Sequence, residues 1–264
     1  MKYYLISLDC ESTGLSVYND QIVELGAAFR LWDSTTGETS ELSPFAEYAK
    51  PTVKTMCKKA EEITHISMVM LQDKPPINTV LGHFMKHVDM VCTQENVPRL
   101  LLSYNGFAYD IPLIVAEVER SGGSAVGYFR KLRIHHAIDV LPFGRACIDT
   151  SILRRRANGS CSYRLGDVYA AVCKCPLLNA HGALADSNAV LDIIQCGDIQ
   201  RAFQSLLEGE PDNKQCQNPM SLVRSVVSRL EAKSTMKKPT TTQSRRVMDM
   251  FRDHAEKKRK RGTD

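Results

Sequence analysis

Two acidic residues one position apart, Asp9 and Glu11, stand at the end of the largely apolar run Leu5–Leu8. Alternate side chains of a β-strand share a face, so a strand here would point both carboxylates to the same side. Two negative charges that close raise each other's pKa unless a hard cation such as Mg²⁺ or Mn²⁺ binds between them. The pair therefore indicates a metal site, although acid-x-acid triplets are also common at solvated strand ends and need partners elsewhere in the chain.

Three further residues are candidate partners for this pair. Asp110 lies between the apolar segment 99–105 and a helical pattern, a position that an N-cap residue also occupies. His181 and Asp186 precede and open another helical pattern. Five residues within one helix separate side chains by about 140°, so these two share a site only if His181 lies in the loop or first turn before the helix, which Gly182 favours. A histidine at such a position is otherwise a surface or capping residue.

Hydrophobic periodicity predicts the elements that must position these residues. Segments 21–32 and 42–49 flank a Gly-containing turn and predict an antiparallel second and third strand. Helices are predicted around residues 63–70, 80–91, 110–120 and 163–174 and, as one continuous apolar stripe, through residues 190–206.

Two segments between Asp110 and His181 could form the strand that follows segment 99–105. Segments 137–141 and 146–150 are both apolar enough, and the second has the better context because the basic, helix-like segment 151–156 follows it. Residues 129–136 are basic and either line a nucleic-acid path or form a solvated insertion, of which the insertion is favoured.

Composition favours a globular chain without a membrane span. Of the 264 residues, 43% are hydrophobic, which is enough for a substantial core, and no run of eighteen apolar residues occurs. Residues 1–4 lead into the first strand without a signal-peptide pattern, so neither secretion nor membrane insertion is expected. The nine cysteines form no C-x-x-C pair, which indicates reduced thiols that pack in the protein.

Charge divides the chain into a body and a tail. Residues 233–264 carry eleven Lys or Arg against four acids, a local +7 that leaves −3 for residues 1–232 out of a net +4. We therefore expect a domain over 1–208, a linker with an amphipathic helix over 209–232, and a basic, disordered tail over 233–264. The apolar stripe of that helix, 222–230, either docks on the core, which is the default, or binds a partner protein. The tail either binds a polyanion or only solubilises the chain.

Three separated motifs, taken in order, resemble those of the DEDDh-type 3′-5′ exonucleases, a DnaQ-like group in the ribonuclease H-like superfamily. They are Leu8–Leu15, Ser103–Asp110 and His181-x-Ala183-x-x-Asp186. The resemblance covers roughly residues 3–205. Segment 121–147 is longer than in compact members of the family, and the last sixty residues have no counterpart in its core.

The resemblance implies a ribonuclease H-like mixed five-stranded sheet whose first three strands are antiparallel and flanked by helices. It also implies a hydrolase that uses two Mg²⁺ or Mn²⁺ ions to remove nucleoside 5′-monophosphates from nucleic-acid 3′ ends. In that scheme Asp9 bridges both ions, Glu11 and Asp186 complete one of them, and Asp110 holds the other. His181 is the general base, since free imidazole has a pKa of about 6.5 and accepts protons near neutral pH.

Substrate contacts follow from the same resemblance. In the family the turn after the first motif contacts the terminal nucleotide, and Leu15 is the candidate wedge against its base while Phe107 is a candidate for stacking. Ordinary packing at a sheet edge is the alternative for both. The full set of candidate substrate-binding residues is Ser12, Thr13, Gly14, Leu15, Asn105 and Phe107.

Single-stranded or frayed 3′ ends of DNA are the expected partner, and RNA is an alternative substrate because recognition of the 2′-hydroxyl depends on pocket shape. A further alternative is a catalytically weak module that binds 3′ ends or recruits a polymerase through residues 218–232. The expected location is intracellular, and nuclear in a eukaryote because Lys257–Arg261 resembles an import signal. Repair, proofreading and viral roles all stay open, as does the oligomeric state.

Overall fold

A six-stranded mixed sheet organises the part of the chain that the computed structural model describes, residues 1–208 and 216–235. Its order is β3-β2-β1-β4-β5-β6, in which β1 to β3 are antiparallel, β4 and β5 run parallel to β1, and β6 is antiparallel to β5. The strands are β1 (Lys2–Ser12), β2 (Ile22–Asp33), β3 (Thr39–Tyr48), β4 (Arg99–Ser103), β5 (Ile134–Asp139) and β6 (Cys216–Gln217). The expected five-stranded mixed sheet is confirmed, and the two-residue β6 extends its edge.

Nine helices accompany the sheet within the described ranges: α1 (Lys58–Thr64), α2 (Ile77–Val91), α3 (Asp110–Arg120), α4 (Ala125–Lys131), α5 (Val140–Cys147), α6 (Leu165–Cys173), α7 (Ala183–Ile194), α8 (Gly197–Glu208) and α9 (Pro219–Thr235). Met1–Val227 form one compact unit; a second unit begins at Ser228 and is described only as far as the end of α9. None of the described helices combines the length and apolarity needed to cross a bilayer.

Alternation along β1 assigns the two faces of the sheet. Leu5 belongs to the core cluster that the sheet shares with α5 to α8, whereas Ile6 and Leu8 face residues of α2, α3 and α4. Asp9 and Glu11 continue the register of Leu5, so both side chains point to the α7 side. Helices thus cover both faces, which explains why the central strands β1, β2 and β4 are largely apolar instead of alternating with polar residues.

The strand that follows β4 is β5, so our preference for segment 146–150 was wrong. Ile138 is fully buried and pairs in parallel with Leu102 of β4. Asp139 ends the strand and caps α5, because its carboxylate accepts a hydrogen bond from Leu141 N–H at 3.1 Å. Segment 146–150 contains the end of α5 instead. The basic helix expected after it is only a 3-10 turn of three residues, Thr150–Ile152.

Two further helices differ from the hydrophobic pattern. The stripe 190–206 does not lie on one helix, because the helix is interrupted between α7 and α8. Gly197 at the start of α8 has a φ of +43°, a conformation that favours glycine. The helix expected around residues 63–70 is α1, which ends at Thr64 because His65 takes the left-handed conformation with a φ of 59°.

The expected amphipathic helix is α9. Leu222, Val223 and Val226 are buried within the first unit, so this part of the stripe packs in the protein itself. The predicted linker residues 209–215 and most of the predicted tail, 236–264, lie outside the described residues.

Candidate active site

Three carboxylates meet above the end of β1. Asp9 and Glu11 come from the strand, and Asp186 comes from the first turn of α7. One oxygen of each carboxylate lies within 4.8 Å of an oxygen of the others, a spacing that a single cation can bridge. The structure thus brings together three of the four acids that the motifs predicted.

Gly26 allows α7 to reach this position. It pairs with Asp9 across the β1–β2 ladder. A Cβ atom at Gly26 would lie only 2.4 Å from the backbone of Ala183 and Leu184 at the start of α7. Any side chain here would push away the helix that carries Asp186, so the close approach of strand and helix requires glycine.

Asp110 lies beside the cluster, at the start of α3. Its carboxylate is 4% exposed and accepts a hydrogen bond from Cys10 N–H at 2.9 Å, which ties it to the strand between the two β1 acids. All four acids line one open cleft of about 390 Å³. Asp110 is therefore not the N-cap of α3, a position that Tyr109 occupies; its side chain faces the cleft and bonds to a different element.

Burial and mutual repulsion perturb these acids strongly. Burial, with a smaller contribution from the charge of Asp186, raises the pKa of Glu11 to about 8. Burial raises the pKa of Asp110 to about 7, although the Cys10 N–H bond opposes this. The pKa values of Asp9 and Asp186 are also raised, mainly by burial. Ionisation of these acids in the folded protein therefore costs free energy, and a bound cation would offset that cost.

His181 lies in the turn before α7, as the shared site requires. It has a left-handed φ of 69°, is exposed, and its backbone N–H lies 3.3 Å from Asp186 Oδ1. Gly182 follows and accepts the hydrogen bond of Asp186 N–H at 3.0 Å. The histidine and the aspartate are therefore joined through the backbone of one turn.

Asp139 holds the loop that leads to Asp110, a role that we did not predict. Its buried carboxylate accepts hydrogen bonds from Asn105 N–H at 2.8 Å and Phe107 N–H at 3.2 Å, in addition to the α5 cap. Asn105 has a φ of 62°, so these bonds hold an unusual backbone conformation. The available signal was an acid at the end of an apolar strand, in the segment 137–141 that we ranked second.

Glu24 is a second supporting acid that we missed. It lies opposite Glu11 in the β1–β2 ladder, is 9% exposed, and accepts a hydrogen bond from Ala183 N–H at 3.2 Å. It thereby satisfies a free N–H group at the N-terminus of α7. A glutamate near the start of the largely apolar β2 was the signal in the sequence.

In and beside the turn after β1, most of the residues predicted to bind substrate form hydrogen bonds within the protein instead. Thr13 is 1% exposed and its hydroxyl donates to Asp20 at 3.0 Å, while Ser12 hydrogen-bonds to the hydroxyl of Tyr109. Tyr109 also donates to the carbonyl oxygen of Gly14, which connects this turn to the loop before α3. These contacts fix the shape of the turn.

Leu15 and Asn105 are the predicted substrate-binding residues that line the cleft. Leu15 is 58% exposed, a high value for a leucine, and lies beside the carboxylates. Phe107 is half-buried and lies outside the residues that line the cleft. An apolar side chain and an amide thus flank the four acids.

A mixed sheet with acids at the end of its first strand, joined by acids from two helix starts, is the arrangement that the motifs implied. The RNase T family model, described as an exonuclease, matches residues 6–194. The match covers well over half of the chain, so the protein belongs to this exonuclease family. The resemblance to DnaQ-like, ribonuclease H-like exonucleases is thereby confirmed.

Individual relatives agree with this assignment. Human three prime repair exonuclease 2 is 28% identical over 204 residues, which are 70% of this chain and 80% of that protein. Escherichia coli exonuclease I in complex with a dT13 oligonucleotide has a TM-score of 0.63 at 20% identity, over 78% of this chain and 43% of that one. A zinc-bound complex of the same enzyme with single-stranded DNA gives 0.61 at 18% identity, with the same coverage. The chain thus spans less than half of exonuclease I, with which it shares the fold.

Proposed function

We propose that this protein is a metal-dependent 3′-5′ exonuclease that hydrolyses the terminal phosphodiester at DNA 3′ ends and releases nucleoside 5′-monophosphates. The observation that carries the proposal is the convergence of Asp9, Glu11, Asp110 and Asp186 in one open cleft. The membership in an exonuclease family supports it, as does the human relative named three prime repair exonuclease 2.

The cleft suits a hard divalent cation. It offers carboxylate oxygens, which Mg²⁺ and Mn²⁺ prefer, and the close group consists of acids alone. None of the ion pairs between described residues involves one of the four acids, so no salt bridge there offsets their repulsion. When bound by these residues, two such ions would stabilise the attacking and leaving oxygens of an in-line displacement at phosphorus.

His181 supplies the proton acceptor. The four acids would be occupied by cations, whereas His181 lies in an exposed turn whose backbone N–H is 3.3 Å from Asp186 Oδ1. From this turn its imidazole can take a proton from the attacking water and pass it to solvent. The bond between phosphorus and the 3′ oxygen breaks, and the phosphate stays on the released nucleotide. Asp186 would then have two roles, because its carboxylate accepts the backbone N–H of the histidine and would also hold a cation.

The cleft also suits the end of a single strand. Leu15 offers an apolar surface to the terminal base, and contact of this kind tolerates any base because each has a flat face. The open cleft exposes the acids to a frayed end, whereas bases within a duplex are stacked and paired. The exonuclease I structures contain DNA oligonucleotides, which favours DNA over RNA as the substrate here.

The test is digestion of a 5′-labelled single-stranded DNA with Mg²⁺ or Mn²⁺, with mononucleotide products identified by chromatography. Asp186→Asn should remove nearly all activity, whereas Asp73→Asn, an exposed aspartate before α2, should retain it. Shortening from the labelled strand's 3′ end in wild type, stopped by EDTA, supports the proposal. DNA binding without any release of mononucleotide would favour a 3′-end-binding module, and faster loss of a matched RNA would favour an exoribonuclease.

A further inference from the structure

Two thiols meet at the ends of α6 and α7. Cys173 is the last residue of α6, and Cys196 follows the end of α7 by two residues. Their sulfur atoms lie 3.6 Å apart, at hydrogen-bonding distance, and Cys196 Sγ also donates to the carbonyl oxygen of Asp192 at 3.2 Å. All cysteines whose side chains the structure describes are free, and no other two of them share a sulfur–sulfur hydrogen bond.

The surroundings hold these thiols in place. The Asp192 carboxylate accepts hydrogen bonds from Arg30 of β2 at 2.5 Å and from the Tyr169 hydroxyl of α6 at 3.2 Å. Arg30 is only 6% exposed, so this network lies against the sheet. The ends of the two helices are therefore fixed to each other and to β2, and the thiols meet on regular elements instead of on a flexible loop.

A small oxidant can reach both thiols, and burial makes the Cys173 thiol less reactive. Both cysteines are half-buried, so a small oxidant can reach them, and Cys175 lies two residues further along in an exposed position. Burial, with the hydrogen bond to Cys196 adding to it, raises the pKa of Cys173 to about 12. Since the thiolate is the reactive form, Cys173 is a poor first target for an oxidant.

We propose that Cys173 and Cys196 form a redox-responsive dithiol that hydrogen peroxide converts to a disulfide. The Cys196 sulfur first attacks peroxide: an S–O bond forms, the O–O bond breaks, and the thiol proton leaves with the expelled oxygen as water. The Cys173 sulfur then attacks the resulting sulfenic acid, so that the S–S bond forms, the S–O bond breaks, and a second water leaves with the Cys173 proton. Two thiols lose two electrons in total, and peroxide is reduced to two waters.

The bond would close the chain segment 174–195, which contains His181 and Asp186. Oxidation would thus tie together both ends of the connection that delivers these two residues to the cleft. A crosslink stabilises a protein mainly by restricting the unfolded chain, so the oxidised protein should melt at a higher temperature. The dithiol can be tested independently of the proposed nuclease function, because disulfide mapping and thermal melting use no nucleic acid.

The experiment is mapping of the disulfide in the full-length protein. Reduced protein is treated with hydrogen peroxide, its remaining thiols are alkylated, and trypsin is added. Cleavage after Arg164, Lys174 and Arg201 separates the Cys173 peptide from the one that contains Cys175 and Cys196. We expect these two peptides to be linked in wild type and in Cys175→Ser, and to be unlinked in Cys173→Ser and Cys196→Ser.

The melting temperature provides the second readout. Oxidation should raise it by roughly 5 °C or more in wild type and in the matched control Cys175→Ser, and should leave both other variants unchanged. Absence of the link in oxidised wild type, or its loss in Cys175→Ser, would refute the assignment of the pair, and the wild-type result does not depend on whether any variant folds. A link without a rise in melting temperature would refute the stabilising role.

Discussion

Replacing Glu11 by glutamine should stabilise the metal-free protein while it removes activity. Glu11 is half-buried beside Asp9 and Asp186, and its pKa is raised to about 8 from an ordinary value of 4.5. A group whose pKa is higher in the folded than in the unfolded state favours folding below the unfolded value and loses that contribution as pH rises through the folded value. Metal-free wild type should therefore lose stability between these two pH values.

The size of the effect follows from the shift. Each pKa unit corresponds to about 1.4 kcal/mol, so at neutral pH the need to protonate Glu11 on folding costs about 3 kcal/mol. Glutamine keeps the shape and carries no charge, and part of the gain is lost because its amide is also buried. We expect a net gain of about 2 kcal/mol, or a rise in melting temperature of roughly 4–8 °C, near pH 7.5. Near pH 5 the gain should almost vanish, because this pH is close to the ordinary pKa of glutamate and protonating Glu11 then costs little.

Thermal melts in EDTA at both pH values measure this prediction, with nuclease assays on the same samples. Glu38→Gln is the control, because that glutamate is exposed in the β2–β3 turn. Added Mg²⁺ should restore stability to wild type and do little for Glu11→Gln, since the variant lacks one of the charges that bind it. Two results would refute the reasoning that repulsion and burial raise the pKa of Glu11. One is a variant with a lower melting temperature than wild type at both pH values, and the other is a variant whose melting temperature is higher by the same amount at both.

Three other changes test the remaining parts of the site and the chain. His181→Ala should lower kcat/KM on single-stranded DNA by roughly 10²–10⁴-fold with an unchanged melting temperature. A wild-type rate would disprove the assignment of His181 as the general base. His83→Ala on α2 is the control. Asp139→Asn should lower stability by about 1–3 kcal/mol and raise the Mg²⁺ concentration needed for activity, whereas the exposed Asp149→Asn should change neither by much; equal effects in both would contradict the supporting role. Removing residues 233–264, with their local +7, should weaken DNA binding and flatten its salt dependence while turnover at saturation stays the same, and an unchanged salt slope would leave the tail no part in binding.

The site acids could be predicted because their positions depend on local geometry. The spacing of Asp9 and Glu11 places both on one face of any strand, and Asp110 begins the helix that follows an apolar strand and a short loop. The turn that holds His181 and Asp186 is likewise contained in six residues. What local patterns do not provide is which strand faces which helix, and for that the resemblance to a known family was needed.

The supporting residues could not be predicted in the same way. Asp139 and Glu24 act by accepting N–H groups from other elements, so their roles exist only after the sheet and helices have packed. The choice between 137–141 and 146–150 failed for a related reason, since both are apolar and only parallel pairing with β4 decides between them. The break before Gly197 was missed because both helices keep their apolar faces in one stripe.

The contact between Gly26 and the start of α7 also sets the stage of synthesis at which a nuclease could first exist. Asp9, Glu11 and Asp110 are made early, yet Asp186 joins them only after α7 has left the ribosome and docked on β2. Domains generally fold as units during synthesis, so an incomplete chain holds three acids without the turn that carries the fourth acid and the histidine. We therefore expect nuclease activity to begin only when nearly all of the family domain has been made.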